Sequence, residues 1–256
     1  MGAEVEEMIE VDNLRKIYQG SGGYTVAIEH LDFDVRDGEV VGIVGSTGCG
    51  KSTFLRIVMG IETPTSGRVL IDGREPYRDF MHFRGRIAAV FQEDRLFPWR
   101  TALDNVRLGL EILGVPKSEQ VSRAKRWLDA LGLGSFYNYY PHQLSGGMRQ
   151  RVALARALVL EPEVILLDEA FGHLDEVTSS KLRSDFLELV RKEGITTLFV
   201  THNLREALES TDRIIVFGRP AKVLADIRVE GLQDRDVMRE RIYRLIELNS
   251  PSQAEP

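Results

Sequence analysis

Val40-Val41-Gly42-Ile43-Val44-Gly45-Ser46-Thr47-Gly48-Cys49-Gly50-Lys51-Ser52 passes from an unbroken apolar run into a glycine-rich turn that ends on a lysine and a hydroxyl. An apolar run of this length reads as a strand covered on both faces, over 40–44, and 51–59 has the spacing of a helix. Gly45 through Ser52 satisfies G-x-x-x-x-G-K-[ST] between the strand and helix that the motif requires. Glycines let backbone amides turn onto phosphate oxygens, and the helix start adds positive potential. Lys51 can reach the outer phosphates of a nucleotide, and the Ser52 hydroxyl can ligate Mg²⁺. The candidate nucleotide contacts are therefore Gly45, Ser46, Thr47, Gly48, Cys49, Gly50, Lys51, Ser52 and Thr53, with ATP and Mg²⁺ as the expected ligands. The same helix start favours thiolate, so Cys49 is expected to react with thiol reagents and to be protected by bound nucleotide.

Before this stretch, apolar residues fall on alternate positions over 26–35 (Val26, Ile28, then Leu31, Phe33, Val35), the mark of a half-buried antiparallel strand. A turn at Asp37-Gly38 follows it. After it, buried strands are predicted at 87–91, 164–167, 197–200 and 214–217, with helices at 145–160, 178–192 and 203–210. That alternation predicts an open α/β sheet. Residues 101–140 have helical spacing without a buried strand and read as an inserted helical subdomain. Residues 234–248 read as one amphipathic helix through Val237, Ile242, Leu245 and Ile246, and 249–256 as disordered.

With 43% hydrophobic residues in 256, the chain can bury one sizeable core. Lys plus Arg total 33 against 39 Asp plus Glu, a net charge of -6, so no broad cationic field awaits a nucleic-acid backbone, and no nucleic-acid partner is expected. The single cysteine cannot form an intrachain disulfide, which fits a reducing, cytoplasmic location. The start carries Glu4, Glu6, Glu7 and Glu10 and lacks the basic flank and apolar run of a secretory signal. Apolar stretches fall far short of the roughly 20 residues needed to cross a bilayer.

Val164-Ile165-Leu166-Leu167-Asp168-Glu169 is an apolar strand ending in two carboxylates, at the strand end where α/β sheets bind ligands. The first can hold the Mg²⁺ shell, while the second, projecting differently, can orient the water that attacks the γ-phosphate. Leu144-Ser145-Gly146-Gly147-Met148-Arg149-Gln150-Arg151 leads directly into Val152-Ala153-Leu154-Ala155-Arg156-Ala157-Leu158, a helix opened by a serine cap and two glycines.

LSGGMRQRVALARAL resembles the signature of ABC transporter ATP-binding subunits. The resemblance implies a P-loop NTPase (RecA-like) α/β core with an antiparallel β subdomain and an inserted helical subdomain. The core is expected over 8–96 and 160–230, the helical subdomain with the signature over 97–159, and a C-terminal helix and tail over 231–256. By the same resemblance, Tyr18, placed before the first hairpin, stacks on adenine, and Gln92 contacts Mg²⁺ alongside Ser52 and Asp168. His202 is implied to contact the γ-phosphate and to act with Glu169 and Lys51 in hydrolysis. Leu174-Asp175 resembles the loop that crosses between paired subunits.

Such subunits sandwich two nucleotides head to tail, so Ser145, Gly146, Gly147 and Asp175 are implied to meet ATP held by a second ATPase subunit, an identical copy being the first expectation. Phe97, Pro98 and Trp99 are implied to form a groove for a helix of a polytopic membrane permease; the alternative is that these aromatics pack the helical subdomain. The stretch QEDRLFPWRTALDNV, 92–106, is similar to the nitrate, sulfonate and taurine importer subfamily, and Phe171-Gly172-His173-Leu174-Asp175 agrees in part. His173 stands where that subfamily more often has alanine, and Ser46 where the wider family often has proline. The expected protein is the ATP-hydrolysing subunit of an importer, peripheral at the inner membrane face, meeting a substrate-binding protein only indirectly. The alternative is a soluble ATPase of this type in an assembly or repair complex.

Overall fold

The computed structural model describes residues 7–20, 23–172 and 175–249 of the 256. In chain order, β1 (Glu7–Gly20) and β2 (Gly23–Arg36) form a long antiparallel pair, β3 (Val40–Gly45) leads to α1 (Lys51–Val58), and β4 (Ser66–Ile71) returns to pair with β1. Then come β5 (Ile87–Phe91), α2 (Ala102–Val106), α3 (Leu108–Ile112), α4 (Lys117–Ala130), a 3-10 turn at Pro141–Gln143, α5 (Gly146–Leu158), β6 (Val164–Asp168) and α6 (Glu176–Lys192). The described chain closes with β7 (Thr196–Val200), α7 (Leu204–Ser210), β8 (Arg213–Phe217), β9 (Ala221–Arg228) and α8 (Arg235–Leu248). These elements pack as two units, one from Met1–His82 with Thr196–Pro256, the other from Phe83–Ile195.

In the first unit the strands follow the order β4-β1-β2-β9-β8-β3-β7. β3 lies between parallel neighbours, Val41 opposite Leu198 of β7 and Ile43 opposite Ile215 of β8, and every residue of it is buried. That placement accounts for its unbroken apolar run, because a strand covered on both faces has no solvent side to make polar. β2 exposes one face, so Ile28, Leu31, Phe33 and Val35 are buried while Glu29, His30 and Asp32 are exposed. The Asp37-Gly38 turn is present, with Gly38 at φ +69 and the Glu39 amide donating to the Arg36 carbonyl at 3.1 Å.

In the second unit, β5 and β6 run parallel from Ile87 opposite Val164 to Phe91 opposite Asp168. α2 to α6 supply its helical part, with Trp127 of α4 fully buried. The helical reading of 101–140 is thus observed as three short-to-medium helices.

Several expectations need correction. β1, β4 and β9 have no counterpart in the predicted elements. Bulges between Val11 and Leu14, and again up to Ile17, break the alternation of β1 and hide its period. Tyr18 lies inside the first antiparallel pair, opposite Thr25, not before it. In α8 the inward seam is Met238, Ile242 and Ile246, packed with Leu204, Leu208 and Val229, whereas Val237 faces solvent. An i, i+4, i+8 row follows one side of the helix, which Val237 does not share. Except for Asn249, the predicted disordered tail lies outside the described residues.

Candidate active site

The first unit carries the glycine loop. Close packing explains its glycines: a Cβ at Gly45 would meet the Phe217 carbonyl at 2.6 Å, and one at Gly50, where φ is +116, would meet the Ala27 carbonyl at 2.4 Å. Lys51 is only 8% exposed, and its ammonium donates to the carbonyls of Gly45 at 2.7 Å and Ser46 at 3.0 Å, so it is held over the loop. α1 begins without a side-chain cap and without an acidic residue in its first turn, which leaves its positive end to an anion. Ser52, Thr47 and Gly48 are exposed at the same place, and Ser46 and Thr53 are half-buried. A cradle that excludes Cβ atoms, a buried ammonium and an uncapped helix start fit a polyphosphate.

Cys49 departs from expectation. Its thiol is 1% exposed, turned under the loop into the space left by the missing side chain of Gly45 and 3.7 Å from the Lys51 ammonium. It is a buried packing group rather than a surface thiol.

Tyr18 is half-buried, with the Lys16 ammonium 4.9 Å from its ring centroid. Lys16 is in turn fixed by the Glu62 carboxylate at 2.6 Å and the Thr63 carbonyl at 2.7 Å, so one face of the ring carries a cation. His202 is exposed in the link from β7 to α7. That link is braced by the Thr201 hydroxyl, which donates to Glu206 at 2.9 Å, and by the Asn203 side chain, which caps α7.

The second unit carries the carboxylates. The register of β5 on β6 brings Gln92 out beside Asp168 and Glu169 at the same strand end. Glu169 adopts φ +51, a left-handed backbone seldom occupied by glutamate, so the chain turns as β6 ends. The Gly172 amide closes that turn on the Glu169 carbonyl at 3.1 Å. Gln150 of α5 donates to the Ala170 carbonyl, and the Ser179 hydroxyl of α6 to the Phe171 carbonyl at 2.9 Å. Among the described residues no cluster of three or more His, Cys, Asp or Glu could hold a metal alone. The Asp168 carboxylate and the Gln92 amide oxygen of this unit are hard oxygen donors of the kind that Mg²⁺ accepts when phosphate and water complete its shell.

Ser145 caps α5, its hydroxyl accepting from the Met148 amide at 3.3 Å, and the first turn beyond it, with Gly146 and Gly147, has no acidic residue. Asp175 caps α6; the Thr178 amide, 3.0 Å away, holds its carboxyl below the usual carboxylate range. His173 and Leu174 lie outside the described residues.

Phe97 and Trp99 pack against each other as a tilted pair, ring centroids 5.2 Å apart at 54°, and both are exposed, Trp99 at 70%, so neither fills the core of the helical part. The loop that presents them with Pro98 is pinned by buried Asn105, which accepts from the Phe97 amide and donates to the carbonyls of Phe97, Arg100 and Thr101. Behind it, Arg149 reaches Asp94 at 3.0 Å and Arg156 the main-chain carbonyls of Asp94 and Arg95. Burial pushes the Arg156 guanidinium below its ordinary value. Gln150, Ser179, Asn105 and Arg156 have no assigned role in the sequence reading; Gln150 and Ser179 stand among polar sequence neighbours that gave no signal, and only the fold shows that Gln150, Ser179 and Asn105 are buried.

A glycine cradle on a buried strand, a strand ending in paired carboxylates and a serine-capped glycine helix define a P-loop nucleotide hydrolase with a helical insertion. The family model described as ABC transporter matches residues 28–172, more than half the chain. The chain belongs to the ABC transporter family and is an ATPase of its ATP-binding cassette type. It is 41% identical over 232 residues to an ABC transporter ATP-binding protein of Methanocaldococcus jannaschii, covering 89% of this chain and 84% of that one. It is 36% identical over 241 residues to the nitrate import ATP-binding protein of Synechocystis sp., covering 93% and 88%. A bacterial ABC transporter cassette solved as a dimer superposes with a TM-score of 0.78 at 34% identity, over 88% of this chain and all of that one.

Proposed function

We propose that the chain is the ATP-hydrolysing subunit of an ABC importer for a small anion such as nitrate, a sulfonate or taurine, working as a dimer against a membrane permease at the cytoplasmic face. The observation that carries hydrolysis is the left-handed Glu169 at the end of β6, beside Asp168 and Gln92. Lys51 and the amides from Gly45 to Thr53 bind the phosphates, with Tyr18 against the base. Bound Mg²⁺ would neutralise phosphate charge, held by Ser52, Gln92 and Asp168. Glu169 orients the attacking water and accepts its proton, and His202 contacts the γ-phosphate. Ser145, Gly146, Gly147 and Asp175 complete the site of a second copy, so turnover follows closure of the pair. Among the described residues no helix is long and apolar enough to cross a membrane, and the Phe97–Trp99 pair is assigned to a permease helix.

Support for the cargo class is the match to import proteins named for nitrate and taurine, although others named for Fe(3+) and glycine betaine are also similar. Uptake of labelled nitrate and taurine by cells lacking this gene tests the reading. Loss of either supports an anion importer; intact uptake of both with loss of iron or betaine uptake transfers the assignment to that cargo.

A further inference from the structure

We propose that Gln150 is a positioning residue for hydrolysis, its side-chain amide holding the turn that carries Glu169 and tying that turn to the helix capped by Ser145. The inference rests on the reading of Glu169 as the water-orienting carboxylate.

Glu169 is left-handed at φ +51, and such a backbone persists in a non-glycine residue where its surroundings over-determine it. Three hydrogen bonds do so here. The Gly172 amide closes the turn on the Glu169 carbonyl, Gln150 donates to the Ala170 carbonyl, and Ser179 donates to the Phe171 carbonyl. Ala170 and Phe171 are buried, so their carbonyls need protein donors, and both donors are themselves 5% exposed. Gln150 is a buried polar residue of α5, a helix whose other buried residues are Val152, Ala153, Leu154, Ala155, Ala157 and Leu158, and the Ala170 carbonyl gives its amide a partner. Remove the donor and the peptide after Ala170 is released to turn toward another partner, carrying the Glu169 carboxylate with it. A misplacement of about 1 Å from a distant mutation can cost about 100-fold in rate. Gln150 belongs to the same helix that begins at Ser145, so displacement of that helix start is passed to the Glu169 turn through one amide.

The test uses the full chain with ATP and Mg²⁺, comparing Gln150→Met, Gln150→Glu and Glu169→Gln with the parent by equilibrium ATP binding and single-turnover hydrolysis. Gln150→Met keeps length without the donor, and its kcat is expected to fall about 10- to 100-fold with Kd for ATP within about twofold. Parent-level kcat, or equal losses in affinity and turnover, overturns the proposal. Gln150→Glu adds a pH profile and decides the matter if the methionine variant does not fold. Only its protonated carboxyl can donate to the Ala170 carbonyl, so its rate relative to the parent should fall as pH rises; parallel profiles overturn the proposal. Glu169→Gln separates the two levels. Parent-level turnover there removes the underlying reading and this inference together, whereas an inactive Glu169→Gln beside a fully active Gln150→Met removes this inference alone.

Discussion

Glu169 and Cys49 show how backbone setting decides what a side chain can do. Glu169 closes β6 in a left-handed conformation, which sends it along a different direction from Asp168 than simple strand alternation would. Glu169→Gln is expected to bind ATP with unchanged affinity and to lose turnover by about 100-fold or more, since an amide cannot take the water's proton. Steady-state hydrolysis and nucleotide binding on the same preparation check this, and parent-level hydrolysis would end the assignment. Cys49 has the opposite lesson. Its position in the glycine loop advertises a reactive thiol, but the missing Cβ at Gly45 draws the sulfur inward. A thiol reagent should therefore label the native protein far more slowly than the unfolded chain, and ATP should make little difference. Rapid native labelling that ATP blocks would restore the exposed thiol.

α2 is short, yet it organises the loop before it. Its Asn105 side chain makes four hydrogen bonds to the backbone from Phe97 to Thr101 while fully buried. Asn105→Ala strands those groups and should destabilise the fold by about 2 kcal/mol, read from denaturant midpoints; a change within experimental scatter would mean that water replaces the amide. At the start of the same helix, burial works against the charge of Asp104, but Arg107 and the Thr101 hydroxyl hold its carboxyl below the ordinary 3.8. Its folded value lies below its unfolded one. The ionised group therefore stabilises the helix above the unfolded value, and that contribution is lost as pH falls through the folded value. Asp104→Asn should weaken the protein at neutral pH, with the difference shrinking as pH drops below 3.8, in denaturation curves taken across that range.

For the whole molecule, the reading requires two copies. With Glu169→Gln to arrest turnover, ATP should convert monomer to dimer on a sizing column, and Ser145→Arg in that background should abolish the dimer while ATP still binds. A monomer under all conditions would refute the paired site. Trp99→Ala, at the exposed tilted aromatic pair, should leave basal hydrolysis intact and weaken recovery with the permease; undiminished recovery would free this surface of that role. Much of this molecule was legible from local chemistry: β3 and its glycine loop, the β6 carboxylates, the serine-capped start of α5 and the helical stretch before it all follow from period, charge and glycine placement over short spans, whereas the meeting of α5 with a second subunit was implied only by resemblance. Their signals are local because each needs only its own neighbours in sequence to be recognisable. β1, β4 and β9, the inward seam of α8, the burial of Cys49 and the link from Gln150 to the Glu169 turn were decided by tertiary packing. Bulges erase a strand's period, and a buried carbonyl chooses its donor from whatever the fold brings near, 20 residues away in the case of Ala170.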